Sequence, residues 1–285
     1  MSDDESEFDA YLSLADVTED DHRWAFGTGF ADPLAGLGDA VPPGVDPAAL
    51  AERCLALGDD ALIYSHRLQQ WVTRAPELEE ETALANIALD LLGQARLLLA
   101  RAAQAEGKNR DEDQLAFFRD EREFRNVRLV ERADADFAEL TARLLVFSAW
   151  RLALFDCLTA ESATDPSPDP VLAAIAAKAV KELTYHRDYA AAWVIRLGDG
   201  TDYSHAKAQA ALDALWPYTG ELDLAADTAA YLDGVFAEAT LTRPSAPALA
   251  PVAGKTGRDG THTEAMGYIL AELQSVARAN PEATW

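Results

Sequence analysis

The chain has 285 residues, 49% of them apolar and 26% charged, as is typical of a chain that buries a substantial core. Its 49 acidic and 24 basic residues give a formal net charge of −25, which argues against a nucleic-acid partner because phosphate binding needs clustered cations. We find no uncharged apolar run of about 18 to 20 residues and no basic, then apolar leader, so we predict no membrane span and a cytoplasmic location.

Residues 1–45 are predicted to form an acidic tail and linker. Nine acidic residues precede the first arginine, and the stretch 26–45 is rich in Gly and Pro. Such a segment offers too little apolar surface to offset the entropy of ordering it. We therefore expect the folded domain to span residues 46–285. The acidity fits either a high-salt habitat, where ions screen self-repulsion, or an ordinary acidic cytosolic protein.

From Asp46 onward the sequence predicts an all-α fold, because Ala- and Leu-rich helical periodicity dominates and the alternating β-branched runs of strands are missing. Caps and breakers place the helices. Four long ones are expected at 46–74, with a possible break at Gly58, and at 76–106, 134–163 and 170–197. Shorter ones are expected at 111–126, 202–216 and 226–240, and a last one runs to about Ala279 from the capping box Thr261-x-x-Glu264.

The four long helices carry apolar stripes wide enough to need partners on two sides. Helices of about 28 residues, or about 42 Å, with such stripes predict an antiparallel four-helix bundle with additional short helices. Cys54 and Cys157 lie in apolar helical contexts, so both are expected to be buried free thiols. The charged run 119–126, interleaved with phenylalanines, is either a solvated helix face or a contact surface.

Long bundles often hold a di-iron centre built from one Glu on each of two helices and a Glu-x-x-His on each of the other two. This chain lacks that set, since its only Glu-x-x-His, at 19–22, lies in the acidic tail. The Asp-x-x-His motifs at 202–205 and 259–262 straddle predicted helix starts, where Asp is more often a cap than a ligand. We therefore predict no metal, cofactor-binding or catalytic residue in this chain.

One polar pair, Glu182 and His186, faces the apolar side of the fourth long helix. These residues are either remnants of a metal site or pocket, or a mutually satisfied buried pair. The second interpretation is favoured, because one helix with two ligands cannot hold a di-iron centre. The inward stripe of the second long helix also offers polar groups, namely Asn86, Asp90 and Gln94.

Several blocks of the sequence resemble one family. They are LGDD (57–60), SHRL (65–68), LANIALDLLGQAR (84–96), LAFFRDEREF (115–124), KExxYH (181–186), RLGDGT (196–201), HTE (262–264), GY (267–268) and ELQ (272–274). These blocks are similar to the PaaC subunits of phenylacetyl-CoA epoxidase, also called phenylacetate-CoA oxygenase. The match spans about residues 50–285, and the block at 84–96 is highly specific.

The resemblance implies a ferritin-like subunit of a multicomponent oxygenase that epoxidises the aromatic ring of phenylacetyl-CoA in aerobic phenylacetate breakdown, with O2 and electrons from a reductase. In this family the catalytic di-iron subunit is a separate, related chain, and PaaC is regarded as structural. The catalytic relative carries Asp-Glu-x-Gly-His where this chain has Asp90-Leu91-Leu92-Gly93-Gln94. Leu91 and Gln94 thus stand at degenerate ligand positions.

The resemblance therefore favours a non-catalytic structural subunit that pairs with, and stabilises, a di-iron partner chain. Its expected partners are that chain and the other subunits of the complex, including the reductase. The alternative that stays open is an independent metal-dependent ferritin-like oxidoreductase that uses Glu182 and His186.

Overall fold

The fold is that of a computed structural model, which describes residues 37–38, 40–164 and 169–283, and of these only the backbone at 161–164. Nearly all of the predicted tail lies outside the described residues, so the tail stays a prediction. The described part contains eight α-helices and no strand, which confirms the all-α fold. The helices are α1 (Pro47–Gln69), α2 (Leu78–Glu106), α3 (Glu112–Phe117), α4 (Phe137–Thr164), α5 (Pro170–Gly198), α6 (Asp202–Leu215), α7 (Ala226–Glu238) and α8 (Glu264–Ala279).

Local capping chemistry explains where the long helices begin and end. The Asp46 carboxylate accepts the Ala48 N–H at 3.0 Å before α1, and the Asp169 carboxylate accepts the Leu172 N–H at 2.7 Å before α5. Both caps are followed by Pro at the first helical position, where its missing N–H costs nothing. Gly107 ends α2 with a left-handed φ of 62°, which glycine adopts without strain.

Two of the long helices, α1 and α2, form an antiparallel hairpin. The Ser65 hydroxyl on α1 donates to the Ala88 carbonyl on α2 at 2.6 Å. Gly58, 7 residues earlier on α1, lies against Leu99, 11 residues later on α2, so the two helices run in opposite directions. The predicted break at Gly58 is wrong, because this glycine lies inside α1. A Cβ there would come within 3.0 Å of the Leu99 side chain, so the glycine lets the two helices approach closely.

The second hairpin, α4 and α5, closes the bundle. Rings at its open end, Phe137 and Trp193, meet edge to face at 5.0 Å. Helix α4 runs antiparallel to α1, since Phe147 packs on Tyr64 while Arg151 bonds Leu57. Two polar contacts between α2 and α5, described below, show that these helices are also antiparallel. The four helices therefore form a closed ring in the order α1, α2, α5, α4, with every neighbour antiparallel, as predicted.

The connection 107–136 crosses the length of the bundle, because α2 and α4 run in the same direction. It contains the short helix α3 and two 3₁₀ turns, Glu121–Glu123 and Arg128–Glu131. Helices α6 and α7 pack on α4 and α5, and α8 packs on α1, α3 and the crossover. Two long antiparallel hairpins joined by a lengthwise crossover are one of the known four-helix topologies.

The charged run was expected to continue a helix from 111 to 126, and this prediction is wrong. Helix α3 ends at Phe117, and the run continues as turns and extended backbone. Within it Arg119, Phe124 and Asn126 are fully or nearly fully buried. The side chains of residues 120–123 are exposed between these buried ones, so the run is only in part a solvated face, and the predicted contact surface stays a prediction.

Buried arginines characterise the interior. Among the described residues six arginines and no lysine are buried, in keeping with a planar guanidinium that offers five donors in a fixed fork. Four of them pair with buried carboxylates: Arg101 with Asp169, Arg119 with Asp59, Arg128 with Glu221 and Arg143 with Asp134. The other two, Arg67 and Arg151, bond to carbonyl and amide oxygens.

The two thiols differ. Cys54 is fully buried, and burial raises the pKa of its thiol to about 12. Cys157 is exposed, contrary to prediction, because it stands beside exposed Asp156 on the outward side of α4.

Within the described part, only α2 meets a length-and-composition test for crossing a membrane, with an 18-residue window of mean hydropathy 1.4. In the fold 44% of that window is buried, and core helices of soluble proteins pass the same test. The helix packs in the bundle, so its composition is that of a core helix with part of one face uncovered.

Candidate functional site

A layer of polar side chains crosses the middle of the four-helix bundle. Arg151 on α4 donates from Nε to Gln94 Oε1 at 3.1 Å and from Nη1 to the Leu57 carbonyl oxygen at 3.1 Å. Gln94 on α2 in turn donates from Nε2 to Glu182 Oε2 on α5 at 2.9 Å. We call Arg151, Gln94, Glu182 and the Leu57 carbonyl the central polar layer. It links all four long helices at one level.

The electrostatics of this layer follow from its burial. Arg151 is 0% exposed, and desolvation lowers its pKa to about 10, while the charge of Asp60 acts in the opposite direction. The guanidinium is therefore still charged at neutral pH, and it lies 4.5 Å from the centre of the Phe155 ring. Burial also raises the pKa of Glu182, although the hydrogen bond from Gln94 favours the carboxylate.

Glu182 and His186 both face the interior, as predicted, but they are not hydrogen-bonded to each other. Glu182 bonds Gln94, and His186 Nε2 lies 2.9 Å from Asp90 Oδ2. The expectation of a mutually satisfied pair is wrong in this respect, because two residues four apart on α5 both point towards α2, which presents Asp90 and Gln94 with the same spacing. His186 is fully buried, and its Nδ1 has no hydrogen-bond partner. The third predicted inward group on α2, Asn86, is exposed.

The residues of the layer do not fit a carboxylate-bridged metal pair. Leu91 is fully buried and offers no donor atom, and Gln94 offers only a neutral amide that is already bonded on both sides. The charged guanidinium of Arg151 lies within hydrogen-bond distance of Gln94, where a metal cation would meet like charge. In the described ranges no three His, Cys, Asp or Glu side chains converge on one point. The donor set thus disagrees with the di-iron centre that ferritin-like bundles often hold.

A second polar cluster, which sequence reasoning missed, ties the crossover to α1. Neighbouring carboxylates on α1, Asp59 and Asp60, are both 0% exposed. Asp59 pairs with Arg119 and accepts the Arg125 N–H at 2.8 Å. Asp60 pairs with Arg258 at 2.7 Å and accepts the Val127 N–H at 2.8 Å. Two adjacent acids inside an apolar helix were the available signal, because such charges need partners when buried.

Glu131 in the crossover holds the start of α8. One oxygen of its buried carboxylate lies 2.7 Å from His262 Nδ1 and the other accepts the Thr263 N–H at 2.7 Å and the Thr263 hydroxyl at 2.6 Å. The N-cap of α8 is therefore Thr263, and its own side chain makes no cap bond to the helix. The predicted capping box at Thr261 is wrong, since a carboxylate from far along the chain takes over that task.

An apolar surface lies outside, on the α2–α5 pair. Leu89 and Leu92 on α2 are 56% and 43% exposed, and Tyr185 on α5 is 53% exposed. The contact between Asp90 and His186 holds the two helices side by side next to these residues. We call these three residues the α2–α5 surface. Exposed large apolar groups are a feature of protein interaction sites.

Comparison with known proteins places the chain. The family model described as "Phenylacetic acid catabolic protein" matches residues 39–233 and 223–285. A protein of Escherichia coli (strain K12) that is named as one of the subunits of 1,2-phenylacetyl-CoA epoxidase is 45% identical over 251 residues, which cover 81% of this chain and 97% of that relative. The matched region contains the whole bundle, the central polar layer and the Asp59–Asp60 cluster. This chain, a ferritin-like helical bundle, belongs to the phenylacetic acid catabolic protein family.

Proposed function

We propose that this chain is the non-catalytic, structural subunit of a multicomponent phenylacetyl-CoA 1,2-epoxidase, and that it acts in aerobic phenylacetate catabolism. The observation that carries the proposal is the interior of the bundle: a buried guanidinium, a leucine and an amide occupy the level at which a metal pair would need carboxylates and imidazoles. This chain matches 97% of a relative that is named as a subunit of such an enzyme, and the likeness supports membership of the same kind of complex.

The partner in this proposal is a separate, related chain that holds the di-iron centre, together with the other subunits of the complex and a reductase. This chain itself holds no cofactor and contributes architecture. The net charge of −25 disfavours nucleic acid as a partner. A soluble CoA ester as substrate fits a cytoplasmic assembly without a membrane.

The α2–α5 surface supports pairing with another protein. A chain this acidic repels most anionic partners, yet the surface itself presents two leucines and a tyrosine. Stable hetero-oligomeric interfaces commonly bury more than about 2,000 Å² around such apolar centres.

Co-expression with the di-iron chain of the same complex tests the proposal. We expect the two chains to co-purify, iron to follow the partner only, and epoxidation of phenylacetyl-CoA to require the partner. The double variant Leu89→Glu/Leu92→Glu should lose co-purification and keep its helical circular dichroism. Val276→Glu, at a 58% exposed site on α8, is the matched control and should still bind.

Two results would overturn the proposal. One is near-stoichiometric iron in the isolated chain that Glu182→Ala removes, which would establish the alternative of an independent metal-dependent oxidoreductase. The other is a chain that stays alone under co-expression while the complex assembles and works without it.

A further inference from the structure

Arg151 is a buried cation without a carboxylate at hydrogen-bond distance. Four other buried arginines of the described part end on carboxylates, whereas Arg151 bonds only an amide oxygen and a backbone carbonyl oxygen. Its Nη2 atom is buried and has no partner. A full charge in the interior is costly unless polar groups gather around it. The presence of this arginine therefore needs a physical explanation.

The guanidinium collects oxygens from the other helices. It donates hydrogen bonds to the Leu57 carbonyl oxygen on α1 and to the Gln94 amide oxygen on α2. The Gln94 amide nitrogen donates in turn to the Glu182 carboxylate on α5, so Glu182 is linked to Arg151 through Gln94. Arg151 itself belongs to α4. One positive centre thus holds polar groups of three facing helices, which is what a bound metal ion does in a bundle core.

The charges are also arranged around this centre. Asp60 on α1 and Glu182 on α5 both interact favourably with Arg151 across the interior. Apart from Arg151, Asp60 pairs with Arg258 and accepts the Val127 N–H, and Glu182 accepts the Gln94 amide and lies 3.6 Å from the more exposed Lys178. The Arg151 guanidinium thus adds a fully buried positive charge that both carboxylates stabilise.

We propose that the Arg151 guanidinium takes the structural place of a metal centre in this bundle, tying α1, α2 and α5 to α4 and excluding metal cations from the central polar layer. The inference goes beyond the proposed function and does not rest on it, since it concerns the interior of this chain alone. It assigns Arg151 a positioning role and no part in catalysis.

Cobalt binding tests the proposal in the full chain. The double variant Leu91→Glu/Gln94→His installs a Glu-x-x-His opposite Glu182 and His186, the ligand types that bundles use. With Arg151 kept, we expect Co²⁺ to bind no better than to the native chain. Adding Arg151→Met should tighten binding at least about 10-fold, give a visible absorption band of coordinated cobalt, and let Co²⁺ raise the Tm.

Arg143→Met is the matched control on the same double-variant background. Arg143 lies on α4, is 1% exposed and pairs with Asp134, so it is an equally buried arginine away from the layer. We expect its loss to lower the Tm without creating cobalt binding. Equal cobalt binding with Arg151 present, equal binding after Arg143→Met, or no binding by a folded triple variant would each overturn the proposal.

If the triple variant does not fold, a double-mutant cycle of Tm values decides the question. Arg151→Met and Gln94→Leu remove two ends of one contact, so their combined Tm shift should be clearly smaller than the sum of the single shifts. Arg143→Met and Gln94→Leu share no contact and should add. Additive shifts in both cycles would show that Arg151 does not tie the helices together.

Discussion

The Arg119–Asp59 pair is the contact whose loss should be easiest to measure. Arg119 is 2% exposed and Asp59 is 0% exposed, and Arg119 Nη1 donates to Asp59 Oδ2 at 3.0 Å while Nη2 donates to Oδ1. The guanidinium also donates to the Leu115 and Glu123 carbonyls. Arg119→Met removes all of these bonds and leaves the Asp59 carboxylate buried, with the Arg125 N–H still donating to it.

The expected loss of unfolding free energy is about 3 to 5 kcal/mol, the usual cost of stranding one member of a buried ion pair. Urea unfolding of the full chain, followed by circular dichroism, measures it. Replacing both partners, in Asp59→Asn/Arg119→Met, should cost less than Arg119→Met alone, because no unpaired charge remains inside.

Arg243→Met is the matched control, because it breaks a pair of the same two-bond geometry at an exposed site. Arg243 also makes two bonds to one carboxylate, both of 2.9 Å to Asp233, but both side chains are well exposed. An exposed pair contributes only about 0 to 1 kcal/mol, so this variant should be nearly as stable as the native chain. If Arg119→Met costs no more than Arg243→Met, the reasoning from burial is refuted.

Three further predictions concern the packing, the central polar layer and the thiols. Gly198→Ala should lower the unfolding free energy by about 1 to 3 kcal/mol, because its Cβ would overlap the Ala239 carbonyl oxygen; unchanged stability would contradict the close approach. Burial raises the pKa of Glu182, so the native chain binds this proton more tightly than the unfolded chain, and stability should fall as pH rises above the ordinary glutamate range. Glu182→Gln should reduce that fall, measured as urea midpoints at about pH 5 and about pH 8; an unchanged pH dependence would refute it. An aromatic disulfide reagent should modify exposed Cys157 in the native chain and buried Cys54 only in urea, and rapid reaction of both would contradict the burial.

The helices could be predicted because their signals are local. Asp46 and Asp169 cap helices within three residues of themselves, and Gly107 ends one through its own backbone angle. The inward direction of Glu182 and His186 also followed from helical spacing. A single sequence carries these features without knowledge of the tertiary contacts.

The internal charge pairs could not be predicted, because each depends on a contact across the fold. Arg119 lies 60 residues from Asp59 along the chain, and Arg151 lies 57 residues from Gln94. In the sequence Arg119 belongs to a charged run that has the composition of a solvated face. Cys157 shows the reverse error, because an apolar stretch of α4 does not reveal which of its sides another element covers.

Dissolved ions screen the exposed charges of this chain much more than the charges of its buried arginines. Screening by dissolved salt reaches the outer carboxylates that give the chain its charge of −25. It scarcely reaches a guanidinium such as that of Arg143 or Arg151, which counter-ions cannot approach. The habitat can therefore tune the solubility and mutual repulsion of these molecules while the cohesion of the bundle interior stays the same.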